Sequence, residues 1–162
     1  FVSSGILFNH ESELRTSNFV SKKLALAALR AKADSSFVVT VSSLDAVADW
    51  GSARDYCKGM TAMLEAERPG DFVLASGKLR MVRDFASEAF ACVGLDWKAH
   101  VKEDPSASGG RVWRLLGDSS QLKRKTGWNP LYDFSDMVRD LVKRTEAEEQ
   151  NGQRSADFHS YL

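Results

Sequence analysis

Phe1-Val2-Ser3-Ser4-Gly5-Ile6-Leu7-Phe8 opens the chain as a short apolar run without period-2 alternation. That pattern predicts a strand covered on both faces. Residues 9–18 are polar and long enough for a working loop. Phe19, Val20, Leu24, Ala27, Ala28 and Ala31 then recur at helical spacing, with Ser17 or Asn18 as N-cap and Lys22 and Lys23 near one end. Strands and helices continue to alternate downstream, without an internal repeat. Residues 37–41 are β-branched and read as a strand. After a turn around Trp50-Gly51, Ser52 caps a helix to about Glu67, striped by Tyr56, Met60, Met63 and Leu64 and stopped by Pro69-Gly70. Residues 71–76 read as a strand and Gly77 as a turn. Val82, Phe85, Ala86, Ala89, Phe90 and Val93 mark an amphipathic helix ended by Gly94. Asp118 opens a short charged helix that stops at Gly127, and Phe134, Met137, Val138, Leu141 and Val142 form the last one. Alternating strands and helices make the chain α/β, with three or four strands expected.

Composition narrows the function classes. A chain of 162 residues buries roughly 68–70% of its unfolded surface. At 43% hydrophobic and 27% charged it is globular, not disordered. Lys+Arg and Asp+Glu both number 22, and divided at residue 81 the halves hold 10 against 9 and 12 against 13. No basic block exists to neutralise phosphates, which excludes an electrostatic nucleic-acid binder. No apolar run approaches the ~20 residues of a membrane span. Cys57 and Cys92 make no disulfide framework and no zinc spacing, so a reducing compartment is the default. Both fall in helical stripes and read as small apolar packing groups. Trp50, Trp97, Trp113 and Trp128 read as core and turn residues, because no basic interleaving makes them a stacking platform. Lys123-Arg124-Lys125 is a solvated helix end. Residues 103–110 are the most flexible by composition, and the tail from Gln150 is polar. The start at Phe1, without a charged n-region, looks like the interior of a longer polypeptide. No G-x-G-x-x-G or G-x-x-G-x-x-G loop and no Tyr-x-x-x-Lys pair occurs, and no catalytic or metal-ligating residue is assigned.

Two segments add a resemblance. Gly5-Ile6-Leu7-Phe8-Asn9-His10-Glu11-Ser12, continuing through Arg15 to Asn18-Phe19-Val20-Ser21-Lys22-Lys23, resembles the GDP-mannose 4,6-dehydratase segment G-I-L-F-N-H-E-S-P-R-R-G-E-N-F-V-T-R-K. Leu115-Leu116-Gly117-Asp118 through Thr126-Gly127-Trp128-Asn129-Pro130 is similar to the L-G-D-P…L-G-W-x-P signature of extended short-chain dehydrogenases that act on nucleotide sugars. Between them, Leu44-Asp45-Ala46, Asp49-Trp50-Gly51 and Ala53-Arg54-Asp55-Tyr56 match L-D-A-x-R-D-W-G-x-A-x-D-Y. Residues 71–77 match D-x-V-I-A-T-G. The resemblance covers about residues 3–143, in order, with shortening around 98–111.

The resemblance implies the C-terminal part of an extended short-chain dehydrogenase. Residues 1–17 would be the terminal strand and loop of an NADP-binding Rossmann domain, 18–149 a small α/β substrate-binding domain, and 150–162 a polar tail. The family oxidises the sugar at C4 with NADP, eliminates water across C5 and C6, and returns the hydride. Its glycine-rich loop and catalytic Thr, Glu, Tyr and Lys lie upstream of the matched region, so the chain is incomplete and not catalytic alone. His10 and Arg15 fall on positions that contact NADP; Asn9, Val20 and Lys23 fall on positions that hold GDP-mannose. Each also has a plain structural reading: His10 satisfying loop carbonyls, a solvated Arg15, a loop Asn9, a core Val20 and an exposed helical Lys23. The family Arg that clamps diphosphate before Asp-Trp-Gly is Ala48 here, and the R-P-x-E clamp falls on Ser108-Gly109-Gly110-Arg111. The P-R-R-G-E loop has become Glu13-Leu14-Arg15-Thr16-Ser17, with one arginine fewer. At about 1.5–3 kcal/mol per charge-assisted bond, two lost clamps weaken affinity by orders of magnitude. The alternative is therefore a degenerate, non-catalytic relative serving as a structural or scaffolding subunit. Either way the chain is expected to associate with an N-terminal Rossmann half or another protein chain, as an oligomer, in the cytoplasm by family default.

Overall fold

The computed structural model describes residues 1–104, 106 and 114–150. Ser108-Gly109-Gly110-Arg111, Trp113, most of the 103–110 stretch and the tail beyond Gln150 lie outside the described residues. In chain order the elements are β1 (Ser4–Leu7), β2 (Asn9–Glu11), α1 (Val20–Ala33), β3 (Val39–Val41), β4 (Val47–Ser52), α2 (Ala53–Leu64), β5 (Asp71–Leu74), β6 (Leu79–Met81), α3 (Val82–Ala91), β7 (Val101–Glu103), α4 (Ser120–Thr126) and α5 (Phe134–Gln150). Among the described residues seven strands replace the three or four expected, because β2, β6 and β7 are three-residue pieces with no alternation long enough to read. The fold is α/β with parallel pairing. It divides into two compact units, one from the described residues within 1–12, 47–80 and 113–137, the other from those within 13–46, 81–112 and 138–162.

In the first unit β1 runs parallel to β5, with Ser4 opposite Asp71 and Leu7 opposite Leu74. The expectation of a strand covered on both faces is corrected: Val2 is 81% and Ile6 54% exposed. Among the described residues β5 is the sole strand beside β1, which leaves β1's far edge unpaired. A second sheet has the order β2-β4-β6, with β2 parallel to β4 and His10 opposite Gly51. Trp50-Gly51 is thus strand, not turn. Ladder pairing with β2 holds it extended, and the missing side chain of Gly51 admits the Tyr56 ring. A Cβ there would sit 2.5 Å from Tyr56 Cε1 and Oη.

Ser52 occupies the N-cap of α2 but makes no side-chain cap bond. Of the α2 stripe, Tyr56 and Met63 are buried, whereas Met60 and Leu64 face outward. Tyr56 and Met63 meet Phe72 and Leu74 of β5, Leu122 of α4 and Trp128 in one apolar cluster. Gly127 ends α4 in the left-handed region at φ 74°, where a Cβ is disfavoured. Cys57 and Cys92 are exposed, correcting the packed reading; Cys57 adjoins Tyr56 and so turns away from the core, and Cys92 caps α3.

In the second unit α1 packs on α3 through small side chains: Ala25, Ala27, Ala28 and Ala31 on one, Ala86 and Ala89 on the other. β3 and β7 form a parallel pair, Val39 opposite Val101. Neither Ser17 nor Asn18 caps α1. Both sit in a turn closed by the Phe19 amide donating to the Thr16 carbonyl, so Phe19 takes the cap position. Lys22, 1% exposed, donates to Glu13 O (2.8 Å), Thr145 Oγ1 (3.0 Å) and Glu148 Oε2 (2.7 Å). Its full donor set is satisfied, which makes burial of the ammonium tolerable. No helix of the described residues is long and apolar enough to cross a membrane.

Gly51→Ala drives a methyl into a fully buried tyrosine ring. We expect a loss of about 1–3 kcal/mol of stability by urea denaturation. An unchanged midpoint would show that the Tyr56 ring moves freely.

Candidate functional site

Asn9 is exposed on β2, on the wall of a cavity of about 430 Å³ that Ile6, Phe8, Val47, Ala48 and Leu115 also line. The wall is largely apolar because residue 48 carries only a methyl group. Asp49 contributes the one carboxylate, and it is already engaged. Its Oδ1 accepts from Ser76 N (2.8 Å) and Ser76 Oγ (2.6 Å); its Oδ2 accepts from Gly77 N (3.0 Å) and Gly117 N (3.1 Å). At 1% exposure, Asp49 is a structural hub that fixes two loops beside the cavity.

His10 follows Asn9 on β2. Its Nδ1 lies 2.8 Å from the Phe8 carbonyl, and its ring centroid is 5.5 Å from that of Tyr56. The carbonyl contact fixes the imidazole's orientation at the strand edge. Burial pushes the Tyr56 phenol well above its ordinary range, and the Asp49 and Asp55 carboxylates push it the same way. Tyr56 is therefore a neutral packing ring at every physiological pH.

Arg15, Val20 and Lys23 belong to the second unit. The Arg15 guanidinium lies 4.3 Å from the Phe19 ring centroid. Val20 begins α1, half-buried, and Lys23 one turn on is exposed, its Nζ donating to the Thr40 carbonyl at 2.7 Å. The structure thus sets Asn9 beside His10 in one unit, and gathers Arg15, Val20 and Lys23 around the start of α1 in the other.

The family model for GDP-mannose 4,6 dehydratase matches residues 1–141. The chain belongs to that family. It is 38% identical over 143 residues to GDP-mannose 4,6 dehydratase 1 of Arabidopsis thaliana, covering 88% of this chain and 40% of that one. Against the human GDP-mannose 4,6 dehydratase it is 34% identical over 164 residues, covering 88% and 43%. The chain therefore spans about 40% of the length of these dehydratase relatives. Among solved structures, RMD of Pseudomonas aeruginosa complexed with NADPH superposes with a TM-score of 0.76 at 18% identity, over 88% of this chain and 47% of that one. The dTDP-glucose 4,6-dehydratase of Bacillus anthracis in complex with NAD gives 0.77 at 15% identity, over 90% and 44%. At such identities these structures establish the fold alone.

Sequence reasoning quoted Asp49 and Asp55 within matched motifs but gave neither a role. Asp55, fully buried, accepts the Leu131 and Tyr132 amides on Oδ2, both at 2.8 Å. The readable signal was a carboxylate placed among Trp50, Tyr56 and Met63, where a buried charge needs donors; Oδ2 has two and Oδ1 has none.

Asp49→Asn replaces an acceptor oxygen with an amide donor facing two donors. We expect a loss of about 2–4 kcal/mol in urea unfolding. A change below about 0.5 kcal/mol would mean that Asp49 does not organise this region.

Proposed function

We propose that this chain supplies the sugar-nucleotide portion of a GDP-mannose 4,6-dehydratase-type enzyme and is not catalytic by itself. The observation that carries this reading is the cavity of about 430 Å³ with Asn9 on its wall, in a chain of the dehydratase family. Asn9 has the donors and acceptor to meet a sugar or phosphate oxygen. Lys23 is a point charge on an exposed helix face, suited to a diphosphate.

NADP is the cofactor this reading brings, and it supplies the hydride transfer. The fit of the residues is partial. His10, with its ring held by the Phe8 carbonyl, and Arg15, a half-buried guanidinium, offer an edge for a dinucleotide. The 162 residues contain no glycine-rich loop to seat a pyrophosphate. The reading therefore places most of the dinucleotide site on an N-terminal Rossmann portion or another chain, and no catalytic step is routed through the residues described.

A second reading, a non-catalytic relative acting as a structural subunit, draws on two observations. Residue 48 brings a methyl group, not a cation, to the cavity wall. The Lys23 ammonium already donates to Thr40, so binding a phosphate would cost that bond.

The 162-residue chain alone is expected to form no 4-keto-6-deoxy sugar nucleotide from GDP-mannose and NADP; product detected by chromatography would refute this. In the complete assembly, Lys23→Ala is expected to weaken GDP-mannose binding by about 1.5–3 kcal/mol, roughly 10- to 150-fold, in calorimetric titration. Absence of heat from both proteins at millimolar ligand would leave the structural-subunit reading in place.

A further inference from the structure

A second cavity, of about 250 Å³, lies in the first unit and shares no lining residue with the Asn9 cavity. Its walls carry two cationic side chains, Lys78 and Arg80, and an aromatic side made by Trp50 and Phe134. The Trp50 and Phe134 ring centroids are 6.3 Å apart, and the Arg80 guanidinium sits 5.2 Å from the Phe134 centroid. Arg80 Nε is enclosed yet has no hydrogen-bond partner. Among the described residues neither Lys78 nor Arg80 pairs with a carboxylate. Buried donors are almost always satisfied, so an orphan beside a cavity points to an acceptor that enters from outside.

The cavity is built on anchored backbone. Asp55 holds the Leu131 and Tyr132 amides on one side, and Asp49 holds Ser76 on another. Asp49 spends both oxygens on such bonds and Asp55 its Oδ2, while Asp55 Oδ1 is buried without a hydrogen-bond partner; neither residue lines the cavity. Asp133 is the acidic group that does line it, and its Oδ1 accepts from the Asp136 amide at 2.8 Å as the cap of α5. Against that single engaged carboxylate stand two unpaired cations and the Tyr132 and Ser135 hydroxyls.

We propose that this cavity binds the phosphoryl group of a small phosphate monoester, with Arg80 and Lys78 as its cationic ligands. A guanidinium fork and an ammonium together offer more donors than a carboxylate accepts, whereas a phosphate has oxygens for both and for a hydroxyl. The Trp50 and Phe134 side takes the ester's apolar portion. This site is independent of the reading given for Asn9 and Lys23.

The test titrates inorganic phosphate into the full chain, followed by amide NMR shifts of Ser76, Tyr132 and Ser135. Saturable shifts are expected. Lys78→Ala, at an exposed position, and Arg80→Lys, which keeps a cation but loses the Nε donor, should each raise the midpoint about tenfold or more with the unfolding temperature unchanged. Shifts that do not saturate, or a midpoint that neither variant moves, would overturn the proposal. Where Arg80→Lys lowers the unfolding temperature, Lys78→Ala alone decides.

Discussion

The Asp49 carboxylate is the constraint on which the first unit rests. One buried charge collects four donors, from Ser76, Gly77 and Gly117. It thereby ties β4 to the turn after β5 and to the loop before α4. Burial would be prohibitive for an unpaired carboxylate, so the surrounding backbone must present its amides in this arrangement or not fold this way. Gly77 meets the demand by adopting φ 73°. Gly117 meets it by having no side chain, because a Cβ there would overlap Ala75 and the Phe8 ring. Asp55, in the first turn of α2, repeats the device through Oδ2 alone, with the Leu131 and Tyr132 amides.

Long, periodic elements were legible in the sequence. The alanine stripe of α1, the Phe85–Phe90 face of α3 and the glycine stop of α4 all lie where spacing placed them, because 3.6-residue burial leaves a signal over several turns. Three-residue strands leave none. Val101-Lys102-Glu103 has one buried residue and became a strand only through its partner Val39-Thr40-Val41. Trp50-Gly51 looked like a turn because glycine marks turns; here it marks a close approach of the Tyr56 ring instead. The site was legible as residue identities, not as geometry. Asn9 on a cavity wall and Lys23 bonded to Thr40 depend on tertiary neighbours that no local pattern encodes.

The two units handle charge in different ways, and this shapes what each can offer a ligand. In the first, Asp49 and the Oδ2 of Asp55 are engaged by backbone amides, and Lys78 and Arg80 have no acidic partners among the described residues. In the second, three lysines are already bonded: Lys22 to Thr145 and Glu148, Lys32 to Glu146, Lys23 to the Thr40 carbonyl. Anion capture by any of these three must displace an existing bond, whereas Lys78 and Arg80 hold no carboxylate among the described residues.

Lys22 also sets a clock on folding. Its partners Thr145 and Glu148 lie 123 and 126 residues downstream. At about 5–20 residues per second, a ribosome delivers α5 on the order of 6–25 seconds after α1 emerges. Until then the ammonium lacks two of its three acceptors, although α3 can already meet the alanine face of α1. Such non-local closure raises contact order and slows the productive route. The nascent chain therefore carries Lys22 without Thr145 and Glu148 until α5 has been made.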